Sequence, residues 1–294
     1  MIFRFFGYII AGLPDLIIDR AALFLSWLLY SVLRFRRKLV VENITRAYGK
    51  KFSKKQIEHV ARYCYYHFLL TIFEFLSAIK KPLVDNVKMI GLENFSNSLE
   101  KNQGAFVLCC HLGNWEAQGA AISRFICPTK VLVKKIGLKS LNKFIEDVRE
   151  KNGFLSIIRK NKGDGARAIL RALKEKNAVG YVLDQYRPTE PFVPFFGYPA
   201  RTNTGLAQLV NKLKTPVVPA FILRKSYREH EVHILPELNL SQKESEDVIY
   251  SMTRIMNQAL EAMIDHAPEQ YFWFHRRWKG QESNKEINSK LNTN

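Results

Sequence analysis

From residue 87 onward the chain alternates short apolar runs with helical segments, and no other feature limits its possible folds as tightly. The runs fall at 87–90, 105–110, 131–133, 155–158, 179–183, 217–223 and 231–235. Helical patterns occupy 115–126, 141–151, 166–176 and 203–213, and a closing helix covers 244–266, stopped before Pro268. Strand and helix in alternation predict an α/β fold, a largely parallel mixed sheet flanked by helices. The run from Ala105 to Cys110 is apolar without a break, as buried strands of parallel sheets are. Ligands of such folds collect at the carboxyl ends of the strands, so the residues after that run matter most.

Upstream, Ser53 and Gln56 form a capping-box pattern ahead of Ile57, Val60, Ala61, Cys64, Tyr65, Phe68, Leu69, Ile72, Phe73 and Leu76. That spacing predicts a long amphipathic helix ending before Pro82, its aromatic stripe packed as core or partly turned to lipid or an acyl chain. Nearer the start, residues 21–33 are uncharged and apolar, and Arg34, Arg36, Arg37 and Lys38 follow at once. A spanning helix needs about 20 apolar residues, so this run is short. A cleavable signal would carry its charges before the apolar core, and here the order is reversed. Aromatic residues with a basic flank fit a helix in the membrane interface, or a short anchor with its basic end cytoplasmic; a buried helix is the plain alternative. The chain therefore divides into a membrane-associating helical segment (1–45), an α/β domain (46–280) and a polar tail (281–294) expected to be disordered.

Charge narrows the partners. Forty-five Lys and Arg against 27 Asp and Glu leave a formal charge of +18, so an acidic partner is expected: anionic membrane, phosphorylated substrate, acidic carrier protein or nucleic acid. Nucleic acid drops out, because there is no zinc-ligand set, no RNP-type aromatic motif and no isolated basic helix. A hydrophobic fraction of 47% excludes a disordered chain, and a mean hydropathy of −0.16 excludes a multi-span membrane protein. Four cysteines (Cys64, Cys109, Cys110 and Cys127) without CxxC spacing fit a reducing compartment rather than a disulfide framework.

The stretch 104–116, GAFVLCCHLGNWE, carries the chemistry. His111 and Glu116 would point about 140° apart on one continuous helix, given 3.6 residues per turn. A strand–turn–helix corner, with Gly113 and Asn114 supplying the bend, can instead fold the carboxylate back toward the imidazole. A carboxylate there fixes the tautomer and raises the basicity of the ring, as a general base requires. A lone strand-end His beside an unrelated helix-start Glu is the alternative on spacing alone. Cys110 precedes His111, but adjacent strand residues face opposite ways, which argues against a Cys–His nucleophile. No second His or Cys stands at metal-ligand spacing from His111.

Four blocks in order extend that motif. His111-Leu-Gly-Asn-Trp-Glu116 resembles the H-x4-[D/E] motif of glycerolipid and lipid A acyltransferases. The strand-ending Asp184-Gln185, the block VPFFGYPART from Val193 to Thr202, and the stretch PEQYFWFHRRWK from Pro268 to Lys279 resemble signatures of the late lipid A acyltransferase family. The likeness runs from about Arg37 to Lys279. The Gly-Thr-Arg/Ser-type block of the sister lysophosphatidate acyltransferases has no counterpart here.

The resemblance implies a glycerolipid acyltransferase-like fold. It implies transfer of a fatty acyl group from an acyl thioester, on acyl carrier protein or coenzyme A, to a hydroxyl of a lipid A precursor. The thioester is a co-substrate; no cofactor and no metal is implied. His111 would be the base, Glu116 its orienting group, and the alcohol would attack directly without an acyl-enzyme. N–H groups at Gly113 and Asn114 would hold the oxyanion, with Asn114 counted among the substrate-binding residues. Arg149 stands where the family tends to place an acceptor-contacting Arg, with a solvated helix-face Arg as the alternative. Asp184 and Gln185 would position substrate or hold a loop, and Arg201 could reach a phosphate. Arg159 and Arg167 are weaker phosphate candidates. Phe195 and Phe196 either line an acyl channel or pack. Trp273, His275, Arg276, Arg277, Trp278 and Lys279 suit a headgroup interface, cation–π packing or a carrier-docking strip. The implied location is the cytoplasmic face of a bacterial inner membrane. Two readings stay beside it: an acyltransferase for another glycolipid or a lysophospholipid, of the phosphatidylinositol mannoside type, and a non-enzymatic basic binder.

Overall fold

In the computed structural model, residues 2–99, 104–133, 137–158, 164–241 and 246–280 are described. The expected tail at 281–294 and Arg159 lie outside them. Four helices come first, α1 (Ile2–Gly12), α2 (Asp15–Trp27), α3 (Arg37–Tyr48) and α4 (Lys54–Ser77), and α5 (Leu92–Leu99), α6 (Trp115–Phe125), α7 (Lys139–Lys151), α8 (Asp164–Lys174), α9 (Gly205–Leu213) and α10 (Val248–Asp265) follow among the strands. Ser53 opens α4 with the predicted capping box, its Oγ accepting from the Gln56 N–H while its own N–H donates to Gln56 Oε1 at 2.8 Å. Between α2 and α3 a short wide turn (Leu28–Val32) leads to Arg34 and Arg36, both with positive φ, and the axis bends by 93°. Among the described residues no single helix is long and apolar enough to cross a membrane; that bent pair has the length and composition together. The boundary expected at residue 45 falls inside α3.

The seven candidate strands all form, in one sheet. β1 (Val87–Ile90), β2 (Ala105–Cys109), β3 (Thr129–Val133), β4 (Phe154–Ile158), β5 (Ala178–Val182), β8 (Val217–Ser226) and β9 (Glu229–Ile234) take the order β1-β9-β8-β2-β5-β3-β4. All neighbours run parallel except the β8–β9 hairpin, so the sheet is mixed and largely parallel, as the alternation requires. The block at 193–202 makes a separate antiparallel hairpin, β6 (Phe192–Phe195) with β7 (Tyr198–Arg201). Its two prolines and central glycine hide a strand pattern from sequence inspection.

β2 is buried throughout and alternates between two cores. Ala105 and Val107 pack with α6 (Trp115–Phe125) and α7 (Lys139–Lys151). Phe106, Leu108 and Cys110 pack with α3, α4 and α10 (Val248–Asp265) on the opposite face. Both faces being covered explains why the strand carries no polar alternation. Phe195 and Phe196 join the second core, against Trp278 and against Tyr48 and Trp273 respectively, so packing rather than a channel accounts for them.

Candidate active site

The sheet's register builds the site before any side chain is considered. β2 and β5 run parallel with Cys109 opposite Val182, so two further residues along each chain put His111 beside Asp184. The Asp184 carboxylate accepts the His111 backbone N–H at 2.9 Å and sits 2.9 Å from the ring Nδ1. The carboxylate against the imidazole is Asp184's and not, as the strand–turn–helix spacing suggests, that of Glu116. The physical reason is that strand pairing fixes two strand ends a few ångströms apart, whereas a helix start offers no such register.

Glu116 does fold into the same pocket, in the first turn of α6, but its partner is Arg149 on α7. Arg149 Nε and Nη2 donate to the two carboxylate oxygens at 2.8 and 2.6 Å, and Nη1 donates to Ser156 at 2.9 Å. Arg149 is thus neither a solvated helix-face residue nor open on every side: a bidentate fork holds it. Gln185 places its amide Nε2 3.4 Å from the other ring nitrogen of His111, while Trp115 and Phe272 pack edgewise and tilted on the ring.

His111, Trp115, Glu116, Arg149 and Gln185 line a cavity of about 480 Å³. That is within the ~300–1,000 Å³ of small-ligand sites. His111, Glu116, Arg149, Gln185 and Arg187 are polar residues of its lining. Val107, Ile122, Val131, Phe154 and Val182 make an apolar wall. Gly119 and Gly180 keep the wall thin, since a Cβ would come within 3.1 Å of the Phe154 ring and 2.8 Å of Val131 Cγ1 respectively.

Burial alone would lower the His111 pKa, but Asp184 outweighs it and holds it above the ordinary histidine value. Glu116 raises it and Arg149 lowers it, through space and with opposite signs. Burial would raise Asp184, yet the same imidazole and its two hydrogen bonds hold that carboxyl down at about 2. The ring Nδ1 is accordingly the protonated nitrogen, facing Asp184, and Nε2 is left with its lone pair toward Gln185 and the cavity.

Other expected residues have different surroundings. Asn114 is fully buried and not on the cavity: its Oδ1 accepts the Glu116 and Ala117 N–H groups and so caps α6. The Gly113 N–H, expected to serve an oxyanion, donates to the Gln270 carbonyl at 3.0 Å. Gly113 itself is required there, with φ +56° and a Cβ position 2.3 Å from the Ile222 carbonyl oxygen. Arg201 donates to the Glu190 carbonyl and lies over the Phe192 ring, away from the cavity. Arg167 is exposed and paired with Asp164. Of the C-terminal block, Trp273, Arg277 and Trp278 are interior: Arg277 donates to the Arg201 carbonyl and Thr202 Oγ1 over the Phe195 ring, which is cation–π packing and not an interface. Cys110 faces the core opposite the cavity, and burial pushes its thiol well above its ordinary value; Cys109 does line the cavity, but burial pushes its thiol up to about 12. Neither is a thiolate at neutral pH. Among the described residues no three His, Cys, Asp or Glu side chains gather as a metal site would.

The family model described as bacterial lipid A biosynthesis acyltransferase matches residues 1–280. The chain belongs to that family. It is 26% identical over 194 residues to the lipid A biosynthesis palmitoleoyltransferase of Escherichia coli K12, covering 64% of this chain and 60% of that protein. It is 25% identical over 198 residues to the lipid A biosynthesis acyltransferase of Haemophilus influenzae, covering 66% and 59%. With the E. coli lauroyltransferase of lipid A biosynthesis it shares 33% over 118 residues, 38% of this chain and 37% of that one. The chain thus spans about 60% of the length of the first two relatives. In this member of the family, the four recognisable sequence blocks have two kinds of surroundings. His111, Glu116 and Gln185 line the cavity with Asp184 against the His111 ring, and Phe272 of the C-terminal block packs on that ring, while Phe195 of the hairpin and Trp273, Arg277 and Trp278 are buried in packing.

Two residues that no sequence motif marks lie beneath this corner, Thr71 and Glu74 of α4. Both are buried: Thr71 Oγ1 donates to the Gly113 carbonyl at 3.1 Å, and Glu74 Oε2 accepts from Asn114 Nδ2 at 2.7 Å. The signal was present. Positions 60, 64, 67, 71, 74 and 78 continue one helical stripe, and a carboxylate on a buried stripe needs a partner.

Proposed function

We propose that this protein transfers a fatty acyl group from an acyl thioester, carried by acyl carrier protein or coenzyme A, to a hydroxyl of a lipid A precursor. The observation that carries the reading is His111 in the lining of a largely apolar cavity, its Nδ1 held by Asp184 and its Nε2 beside the Gln185 amide. The acyl chain occupies the apolar wall region with its thioester carbonyl beside His111. The acceptor hydroxyl, hydrogen-bonded to His111 Nε2, gives up its proton to that nitrogen as its oxygen attacks the carbonyl. Asp184 stabilises the imidazolium that forms. As the tetrahedral intermediate collapses, the C–S bond breaks and the imidazolium returns its proton to the departing thiolate, leaving an ester, a free thiol and neutral His111. Gln185 and the cations Arg149 and Arg187 supply positive potential and donors at the oxyanion and at a phosphorylated acceptor. Attack is direct, since neither neighbouring cysteine is ionised.

The apolar surfaces of α1 and α2 dock on the inner membrane from the cytoplasmic side. Phe5, Phe6, Leu16, Phe24 and Trp27 are exposed there, followed by the exposed Arg34 and Arg36. Aromatic and basic groups in that order suit an anionic interface. The full-length chain, assayed in mixed micelles with an acyl thioester and a lipid A precursor, is expected to form the ester. His111→Ala is expected to abolish it, with folding and vesicle co-sedimentation unchanged, and Cys110→Ser to retain it. An active His111→Ala variant, or an inactive but folded Cys110→Ser variant, would sink the mechanism.

A further inference from the structure

Beneath the active-site corner lies a charged cluster that the reaction does not use. Glu74 and Arg224 are a fully buried ion pair, their side chains 2% and 1% exposed. Arg224 Nη2 and Nε donate to Glu74 at 2.7 and 3.2 Å, and Nη2 also donates to Thr71 Oγ1 at 2.9 Å. The Arg228 backbone N–H donates to Glu74 at 2.9 Å, and His230 Nε2 lies 3.4 Å away. Burial would raise the Glu74 carboxyl, but Arg224 and His230 hold it below its ordinary range. Replacing such a pair by apolar groups of the same volume often leaves a protein as stable or more so. Stability is therefore a weak reason for its presence, and what it holds in place is the better question.

It holds Asn114. Nδ2 of that residue donates to Glu74, which fixes the amide so that Oδ1 points at α6 and caps the N–H groups of Glu116 and Ala117. With the amide reversed, its NH2 would face those two donors and the cap would be lost. Thr71 Oγ1, which accepts from Arg224 Nη2, shares its one proton between the His67 carbonyl at 3.0 Å and the preceding Gly113 carbonyl at 3.1 Å. We infer that Glu74 is a positioning residue for the reaction proposed above: through Asn114 it sets the entry of α6, and with it the place of Glu116 and Arg149 against His111. The carboxylate thus belongs to a helix forty residues upstream of Asn114. It acts on the site through one neutral amide.

Reversing the hydrogen bond tests this on the full-length chain. In Asn114→Asp the cap oxygen survives, but two carboxylates meet where donor met acceptor. We expect kcat to fall roughly a hundredfold, the cost of about an ångström of misplacement, with KM little changed. Hydrogen exchange at the Glu116 and Ala117 amides should accelerate. Adding Glu74→Gln puts a donor opposite the new acid and keeps the cluster's total charge; that amide also faces Arg224 Nη2, which bonds the same oxygen in the wild type, so both readouts should recover in part. Asn114→Ser keeps a cap oxygen without the amide; it should stay folded, lose kcat similarly, and covers the case in which Asn114→Asp does not fold. The inference is overturned if Asn114→Ser is fully active with unchanged exchange, or if the double variant folds but regains neither readout. Should the wild-type chain transfer no acyl group, the reaction assignment fails instead, and the exchange rates still decide the positioning role.

Discussion

Two acids reach the surroundings of His111, and the two regions that deliver them work by different means. At the β2–β5 edge, parallel pairing puts Asp184 against the ring with no freedom to be elsewhere: main-chain register does the aiming, and the carboxylate also takes the His111 backbone N–H. At the α6–α7 corner, Glu116 depends on a helix start, on an asparagine cap and on the Arg149 fork. The first region fixes a tautomer and a charge. The second sets a local potential whose two members oppose each other at the imidazole. A site assembled this way separates the group that holds the imidazole from the pair that shares the cavity lining with it.

The sharpest way to break that contrast is Asp184→Asn. With the anion gone, the imidazole loses its tautomer lock, and kcat should fall by roughly 10³–10⁴, the loss seen when a triad-type aspartate becomes an amide. The pH dependence follows with a definite sign. Asp184 raises the His111 pKa against the lowering effect of burial, so its removal moves the acid limb of kcat/KM to lower pH. An unmoved limb in a residual-activity profile would show that Asp184 does not govern the base.

Stability gives a second, smaller difference. Asp184 is held down at about 2 in the folded chain, so its contribution is fully present above the ordinary aspartate pKa and is lost as pH falls through about 2. The shift corresponds to roughly 2 kcal/mol. Denaturant unfolding of wild type and Asp184→Asn should therefore converge by about that amount between about pH 5 and pH 2. Parallel curves would contradict the register-held pair.

A conservative change in the Glu116–Arg149 fork, which leaves the entry of α6 in place, should have the smallest effect. Arg149→Lys keeps the charge but cannot form the fork with Glu116, and a point charge is not equivalent at a bidentate site. A loss of about tenfold in kcat/KM is expected, without movement of the acid limb. A loss as large as that of Asp184→Asn would place both regions in the same role and end the comparison.

Much of this was readable in the chain itself. The alternation from residue 87 predicted all seven strands of the main sheet and its parallel character, because fully buried strands need apolar side chains on both faces. His111 was marked by its position at the end of such a run, and Cys110 was turned away from it by the two-residue period of a strand. Asp184 and Gln185 were recognisable as strand-end residues on the same edge.

Local periodicity alone thus specified the fold class, His111 as the strand-end candidate and the sheet edge that carries it. Only the tertiary structure decided which acid serves His111. That choice rests on the pairing of Cys109 with Val182, a contact between segments more than 70 residues apart that no local pattern encodes. The tertiary structure likewise turned Asn114 from a substrate contact into a helix cap, drew Arg201 and Arg277 into packing, and placed Glu74 of a distant helix beneath the corner. A buried charge is specified by the partners around it, and those partners meet only when the chain has folded.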